Sequence, residues 1–178
     1  MEKDNGGESW NSEETIEYKI NKKIIMGNIQ LLKRPLLYKG KYGGCIVVLK
    51  TEQIGSKVKL YTGYGESDYP PIDLSEFEEN THEYRKKEMV INEENKPLLE
   101  SYDLKIERIE YNGKYFYKIL PVLYESFKDG KFTGRISHCK VKPFYNNNEL
   151  FFELREGSGT IFIVTPERFQ MCYRGLSN

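Results

Sequence analysis

The chain has 178 residues, the length of one ordinary domain, and its 27 basic and 27 acidic residues leave no net charge. Overall charge therefore favours neither nucleic acid nor an acidic protein as its ligand. The 14 Tyr and 9 Phe residues, with no Ala, favour strands over helices. Residues 15–64 carry ten bases and two acids, whereas residues 65–110 carry six bases and fourteen acids. We therefore expect a β-rich domain that could carry a basic and an acidic face.

Cysteine and histidine usage excludes a familiar metal site. Three widely spaced cysteines (Cys45, Cys139 and Cys172) form no C-x-x-C pair, and His82 and His138 complete no zinc pattern. The N-terminus lacks a basic-then-apolar leader, and no apolar run is long enough to span a membrane. We expect a cytoplasmic protein, or a nuclear one in a eukaryote, with no cofactor, metal or membrane partner.

The first half of the chain predicts a polar tail followed by strands. Residues 1–14 are acidic and contain almost no apolar residues, so we predict a disordered tail and a single β-rich domain over residues 15–178. Pro35 should end a strand or place it at a sheet edge, because proline cannot donate to a strand ladder. Glycines then predict turns around Cys45–Leu49 and before Val58.

Residues 62–73 contain two glycines and two prolines, which predicts an irregular loop. The loop is followed by Ser75 and, three residues later, Glu78, the spacing of a capping box. We therefore expect a helix over residues 76–87.

The run from Tyr102 to Val164 predicts consecutive antiparallel strands, the first at Tyr102–Ile106. Turns that favour positive φ are predicted at Asn112-Gly113, Asp129-Gly130, Asn146–Asn148 and Gly157–Gly159. A short helix should begin at Thr165-Pro166. The fold class we expect is mainly β, an antiparallel meander that closes into a small barrel or curled sheet, with one or two short helices.

Catalytic candidates are few. Cys45 and His138 are the one conceivable thiol–imidazole pair, but Cys45 opens an apolar strand, where cysteine usually acts as a small hydrophobe. His138 and Cys139 are adjacent on a predicted strand, so they should point to opposite faces and cannot share a metal. We therefore expect a protein that is not an enzyme and has no catalytic residue.

Aromatic residues in and beside the long loop suggest recognition of a partner. Tyr61, Tyr64 and Tyr69 could offer large contact areas at a low cost in rotamer entropy. The leading functional hypothesis is therefore a non-catalytic binding or adaptor module, such as an inhibitor or accessory factor, that acts through protein–protein contacts. Tyrosines that simply pack the loop onto the domain are the competing explanation.

Basic and aromatic residues also interleave on the predicted strands. Cations that follow phosphates and rings that stack on bases are typical of proteins that bind single-stranded nucleic acid. This alternative, in an oligonucleotide-binding-type barrel, would use Lys33, Arg34, Lys57 and Lys59 with Tyr38 and Tyr61. A lipocalin-like barrel that binds a small molecule is a second alternative.

Overall fold

The computed structural model describes residues 29–174 of the chain. They form a mainly β fold with antiparallel strands and three short helices, and no sheet among these residues closes into a barrel, so the barrel prediction is not confirmed. The predicted tail at residues 1–14 lies outside the described residues. Contacts divide the described chain into two compact units, which we call the N-terminal unit (residues 29–40 and 45–85) and the C-terminal unit (residues 41–44 and 86–174).

The N-terminal unit is built on antiparallel strands in the order β6-β1-β2-β3, and β4 and β5 both pair with β3. Its elements are β1 (Ile29–Lys39), β2 (Gly44–Ile54), β3 (Lys57–Thr62), β4 (Gly65–Glu66), β5 (Ile72–Asp73), α1 (Leu74–Glu79) and β6 (Thr81–Glu83). Its core consists of apolar side chains from these elements, namely Leu36, Tyr38, Val48, Val58, Leu60, Ile72 and Phe77.

The C-terminal unit contains a sheet in the order β14-β10-β11-β12-β13, with β7 also paired to β11, and a separate two-stranded sheet of β8 and β9. Its elements are β7 (Lys86–Glu88), α2 (Lys96–Glu100), β8 (Ile106–Tyr111), β9 (Lys114–Ile119), β10 (Val122–Lys128), β11 (Lys131–Asn146), β12 (Glu149–Glu156), β13 (Ile161–Val164), α3 (Pro166–Cys172) and β14 (Tyr173–Arg174). Its core includes Leu99, Tyr124, Phe152, Leu154 and Phe169.

The predicted turns are where the prediction was most accurate. Asn112 and Gly113 have φ of 51° and 76°, the two positive values of the expected hairpin turn between β8 and β9. The Asp129-Gly130 turn joins β10 to β11 in the same way. The terminal helix is also confirmed, since α3 begins at Pro166 and the Thr165 hydroxyl accepts a bond from the Arg168 amide.

The helix predicted over residues 76–87 was too long. The helix α1 ends at Glu79, and the chain then forms β6, which pairs with Leu36–Tyr38 of β1. Only Phe77 of α1 is buried. A helix with so thin an apolar stripe gains less from packing than the same residues gain by extending the sheet.

One other local prediction was wrong, and of the two alternatives given for Pro35, a strand end or a sheet edge, the first is excluded. Tyr102–Ile106 is not a strand, because α2 precedes it and the chain turns through Asp103, whose φ is 62°, before β8 begins. Pro35 does not end its strand, because β1 continues to Lys39 across a register shift between Leu31 and Leu36. An irregular ladder tolerates a residue that has no N–H to donate.

Residues 41–44 are held against α3 of the C-terminal unit. The Thr165 amide donates to the Gly43 carbonyl at 2.8 Å, and Arg168 Nη1 donates to the Tyr42 carbonyl at 3.5 Å. Gly43 has a φ of 88°, and an added Cβ would collide with the Thr165 hydroxyl and lie 2.7 Å from Cβ of Arg168. Only glycine fits this position without displacing α3.

Candidate interaction surfaces

The predicted basic surface lies partly on the outer face of β2 and β3, which we call the charged face. Side chains alternate along β3, so that Val58 and Leu60 enter the core while Lys57, Lys59 and Tyr61 point away from it. The register places Glu52 of β2 opposite Lys59, and Lys50 opposite Tyr61. Strand alternation thus brings three predicted site residues, Lys57, Lys59 and Tyr61, onto one surface. The charged face consists of these three and of four residues that the prediction did not include: Lys50, Glu52, Glu66 and Asp73.

Both lysines of β3 on this face have acidic partners. Lys57 Nζ lies 3.4 Å from Asp73 of β5, and Lys59 Nζ lies 2.9 Å from Glu66 of β4. The hydrogen bond to Glu66 raises the pKa of Lys59. The short strands β4 and β5 therefore each provide a carboxylate to one of the two β3 lysines that were predicted to contact phosphate.

Tyr61 is also held from two sides. Its hydroxyl donates to Glu52 Oε1 at 2.8 Å, and this hydrogen bond raises the pKa of the phenol. Lys50 Nζ lies 4.6 Å from the centre of its ring, within the range of a cation–π contact. One face of the ring that was predicted to stack on a base is thus already covered by a lysine.

The other tyrosines of the predicted site are placed very differently from one another. Tyr38 is 2% exposed and donates its hydroxyl to Glu76 Oε2 at 2.9 Å, and burial raises the pKa of that phenol well above its ordinary value. The ring of Tyr69 is half-buried and meets Tyr38 edge to face, with 5.7 Å between centroids. Tyr64, in the turn between β3 and β4, is fully exposed. Tyr38 is therefore a core residue that cannot stack on bases, and Tyr64 alone of the predicted tyrosines projects freely.

Arg34 belongs to a different arrangement. Its Nη1 lies 2.7 Å from Glu83 Oε2, and Arg85 Nε lies 2.7 Å from the other oxygen of the same carboxylate. The Glu83 side chain is only 8% exposed, so a nearly buried acid in β6 joins two arginines. Arg34 is thus directed towards β6, on the opposite side of β1 from β2, whereas Lys33 is an exposed residue of β1.

The conceivable catalytic residues lie in different units of the fold. Cys45 belongs to the N-terminal unit and His138 to the C-terminal unit. His138 is exposed and its neighbour Cys139 is 1% exposed, which confirms that they point to opposite faces of β11. Burial raises the pKa of the Cys139 thiol, which disfavours the thiolate that a nucleophile requires. Within residues 29–174, no three His, Cys, Asp or Glu residues are grouped as a metal site would need.

Within residues 29–174, exposed aromatic side chains also cluster on a surface that was not predicted as a site. It lies on the two-stranded sheet of β8 and β9, where Ile109 pairs with Phe116 and Tyr111 pairs with Lys114. Residues in register share a face, so Ile109, Tyr111 and Phe116 lie together, and they are 39%, 66% and 51% exposed. We call this surface the hairpin face.

The opposite side of the same hairpin attaches it to the C-terminal unit. Ile106 and Ile119, paired at its base, pack against the core cluster that contains Leu104. Further along, the Arg108 guanidinium lies 3.7 Å from the centre of the Tyr115 ring. The base of the hairpin is therefore packed, while its outer part is exposed on both sides.

One signal in the sequence could have identified the hairpin face. Tyr115, Phe116 and Tyr117 are consecutive, so aromatic rings must point to both sides of β9 whichever side meets the core. A strand with one buried face normally has polar residues on the other. Consecutive aromatics in a strand that follows a reliable turn therefore predict an exposed aromatic surface.

Comparison with known proteins adds no assignment. No family model matches this chain, and neither the curated proteins nor the solved structures contain a significant match. Among residues 29–174, no helix is both long enough and apolar enough to cross a membrane. The surfaces of the molecule itself are therefore the best indication of its function.

Proposed function

We propose that this protein is a non-catalytic binding module that acts through protein–protein contacts, and that the hairpin face is its main contact surface. The observation that supports this proposal is the cluster of Ile109, Tyr111 and Phe116, three large side chains that are 39–66% exposed on one side of a two-stranded sheet. Contiguous exposed apolar surface on a water-soluble fold is typical of interaction sites.

The residue types suit a protein partner. Tyrosine and phenylalanine have few rotatable bonds, so burying them in an interface costs little side-chain entropy. Tyrosine is also enriched among the residues that dominate binding energy. Lys114 and Lys118 border the aromatic residues on the same face, with Glu107 opposite Lys118. We expect a partner surface with an apolar centre and acidic residues at the edge next to Lys114.

The charged face is less available to a partner than the hairpin face. Lys57 and Lys59 of this face have carboxylate partners within the same sheet, and a phosphate would have to displace them. Tyr64, a single fully exposed ring in the turn between β3 and β4, could form a smaller second contact.

Photo-crosslinking from defined positions tests the proposal. Benzoylphenylalanine placed at Phe116 should crosslink to a discrete protein in an extract of the source organism, whereas the same group placed at Tyr64 should give less of that product or none. The crosslinked protein is then identified, purified and titrated against wild type and against Tyr111→Ser. Because hot-spot residues cost about 2 kcal/mol or more, Tyr111→Ser should weaken binding roughly thirtyfold.

Tyr64→Ser is the control, because it removes a tyrosine that is even more exposed than Tyr111, and does so from a different strand pair. Equal affinity of the purified partner for wild type and Tyr111→Ser would remove the hairpin face from the proposal. Failure of Phe116 to crosslink any protein would contradict the proposed function itself.

A further inference from the structure

A second feature of the hairpin is its unpaired edge. Within the described part of the chain, β8 is hydrogen-bonded to one strand, β9, and all its residues from Glu107 to Tyr111 are exposed. An edge of this kind presents a row of backbone donors and acceptors that another strand can use.

The register determines which backbone groups point outward. A two-residue hairpin turn is flanked by a hydrogen-bonded pair, here Tyr111 and Lys114, and hydrogen-bonded pairs recur at every second position. The bond from the Leu120 amide to the Lys105 carbonyl, 2.8 Å long, continues the same series at the hairpin base. The odd-numbered residues of β8 therefore bond to β9, and Ile106, Arg108 and Glu110 direct their N–H and C=O groups away from it.

The side chains at the outward positions carry opposite charges. Arg108 and Glu110 are two residues apart, so they lie on the same face of β8. Neither side chain has an ion-pair partner in the part of the chain that the structure describes; the Arg108 guanidinium lies over the Tyr115 ring. An edge protected by charges of one sign would repel a second copy of itself, whereas this one carries a cation and an anion in a pattern that can complement itself.

We propose that β8 pairs antiparallel with β8 of a second copy of this chain, about a two-fold axis that passes through Ile109. This register places Arg108 of each copy opposite Glu110 of the other, which gives two ion pairs. Both residues point their backbone groups outward, so these positions also form hydrogen-bonded pairs. Moving the axis by one residue places Arg108 opposite Arg108, or Glu110 opposite Glu110, and like charges directly across strands are destabilising.

Pairing of this kind extends the apolar surface. The two hairpins become one four-stranded sheet in the order β9-β8-β8-β9. Across it, Phe116 and Ile109 of one copy continue into Ile109 and Phe116 of the other. The dimer therefore uses the edge of β8 and leaves the hairpin face available, so the inference extends beyond the proposed function and does not depend on it.

Charge exchange tests the pairing, with sedimentation equilibrium from low micromolar to near-millimolar protein as the measurement. Wild type should show a monomer–dimer equilibrium. Arg108→Glu places carboxylates opposite each other at both ion pairs, and Glu110→Arg places guanidinium groups opposite each other. Each change should weaken dimerisation roughly tenfold or more, since it converts two favourable cross-strand pairs into unfavourable ones.

Two combinations separate charge pairing from general damage to the hairpin. The double variant Arg108→Glu/Glu110→Arg should dimerise about as well as wild type, because the two signs are exchanged together. A mixture of the two single variants should form heterodimers, because one copy then carries two carboxylates at these positions and the other carries two guanidinium groups. Circular dichroism confirms that each variant is folded.

Disulfide trapping determines the register. Ile109 faces itself as a non-hydrogen-bonded pair, in which Cα atoms lie about 4.5 Å apart, a separation that a disulfide can span. In a Cys45→Ser background, Ile109→Cys should form a covalent dimer under mild oxidation, and Glu107→Cys, which lies about 13 Å from its counterpart along the strands, should not. Cys45 is replaced because it is the one described cysteine that is not buried.

Three results would overturn the inference. A wild-type chain that remains monomeric at near-millimolar concentration would exclude the dimer. The same result is expected if another segment of the chain pairs with the edge of β8, and it would exclude the dimer in that case too. A dimer that neither single charge variant weakens would assign the contact to another surface. A disulfide formed by Glu107→Cys but not by Ile109→Cys would exclude the register. A monomer that still crosslinks a partner through Phe116 would leave the proposed function standing.

Discussion

The charged face and the hairpin face are both outer surfaces of antiparallel strands joined by a two-residue turn, and both carry lysines and tyrosines. They differ in what lies beside them. The strand β3 has β2 on one side and β4 and β5 on the other, and each neighbour contributes an acid: Glu52, Glu66 and Asp73. The hairpin of β8 and β9 has no third strand among the described residues.

The comparison shows that residue type alone does not make a binding surface. Tyr61 and Tyr111 both lie on exposed faces of strands, yet Tyr61 is fixed by Glu52 and Lys50, whereas Tyr111 is 66% exposed. The number of strands that flank a residue decides whether its polar and aromatic groups are used within the fold or remain available to a partner.

The largest expected difference between the two regions is in their contribution to stability. Leu60, on the inner side of β3, is 1% exposed, so Leu60→Ala should lower the free energy of unfolding by about 2–5 kcal/mol. Ile109→Ala on the hairpin should lower it by about 1 kcal/mol or less, because Ile109 already contacts water. Urea unfolding followed by circular dichroism measures both. Equal losses would show that the hairpin is as integral to folding as the sheet.

The next effect concerns the hairpin turn. Gly113 has a φ of 76° and no atom within 4 Å of the position of an added Cβ, so Gly113→Ala introduces backbone strain alone. That strain is about 1–2 kcal/mol, which should accelerate amide hydrogen exchange in β8 and β9 roughly 5- to 30-fold. Exchange in β10–β12 should not change, because the hairpin is a separate two-stranded sheet. Uniform acceleration in both sheets would contradict the view that the hairpin opens independently.

A smaller effect concerns the titration of Tyr61. Its hydrogen bond to Glu52 raises the pKa of the phenol. The bond therefore stabilises the folded protein at pH values below the ordinary pKa of tyrosine, and this stabilisation is lost as the pH rises through the raised pKa. Glu52→Gln should lower the pKa of Tyr61, a shift that NMR of the ring carbons can follow. An unchanged pKa in Glu52→Gln would show that the carboxylate does not hold the hydroxyl in solution.

The smallest expected effect is on nucleic acid binding. Since Lys57 and Lys59 have carboxylate partners, fluorescence anisotropy with labelled single-stranded DNA and RNA should be the same for wild type and for Lys57→Gln/Lys59→Gln. Binding that both substitutions weaken, with a salt slope of about −0.7 per neutralised phosphate, would restore the charged face as a nucleic acid site.

Sequence reasoning was most accurate where one or two residues determine the conformation. Asn112 and Gly113 specify a hairpin turn almost alone, because few other residues adopt positive φ readily. The strand predicted at Tyr102–Ile106 was wrong because alternation of polar and apolar residues over five positions does not distinguish a strand from a helix end followed by a turn. Here the helix end and turn pack Tyr102 against Phe152.

The candidate site was harder to predict because pairing partners are distant in sequence. The basic block at residues 15–64 and the acidic block at 65–110 suggested separate faces, yet the acids that meet Lys57 and Lys59 come from β5 and β4. Burial of Tyr38 depends likewise on Phe77 and Tyr69, which stand more than 30 residues away. The predicted tyrosine Tyr64 is the exception, because a turn exposes it whatever its neighbours are.

The contact between residues 41–44 and α3 limits how the protein can be divided into fragments. The chain enters the C-terminal unit at Lys41, leaves it after Gly44 and returns at Lys86, so the two units are interleaved along the polypeptide. A fragment that begins at Lys86 would lack the carbonyls of Tyr42 and Gly43 that receive bonds from Arg168 and Thr165. No single cut of the backbone therefore yields both units whole. A limited digest or a split-protein pair would separate residues 41–44 from the rest of the C-terminal unit, unless this segment were supplied with that fragment.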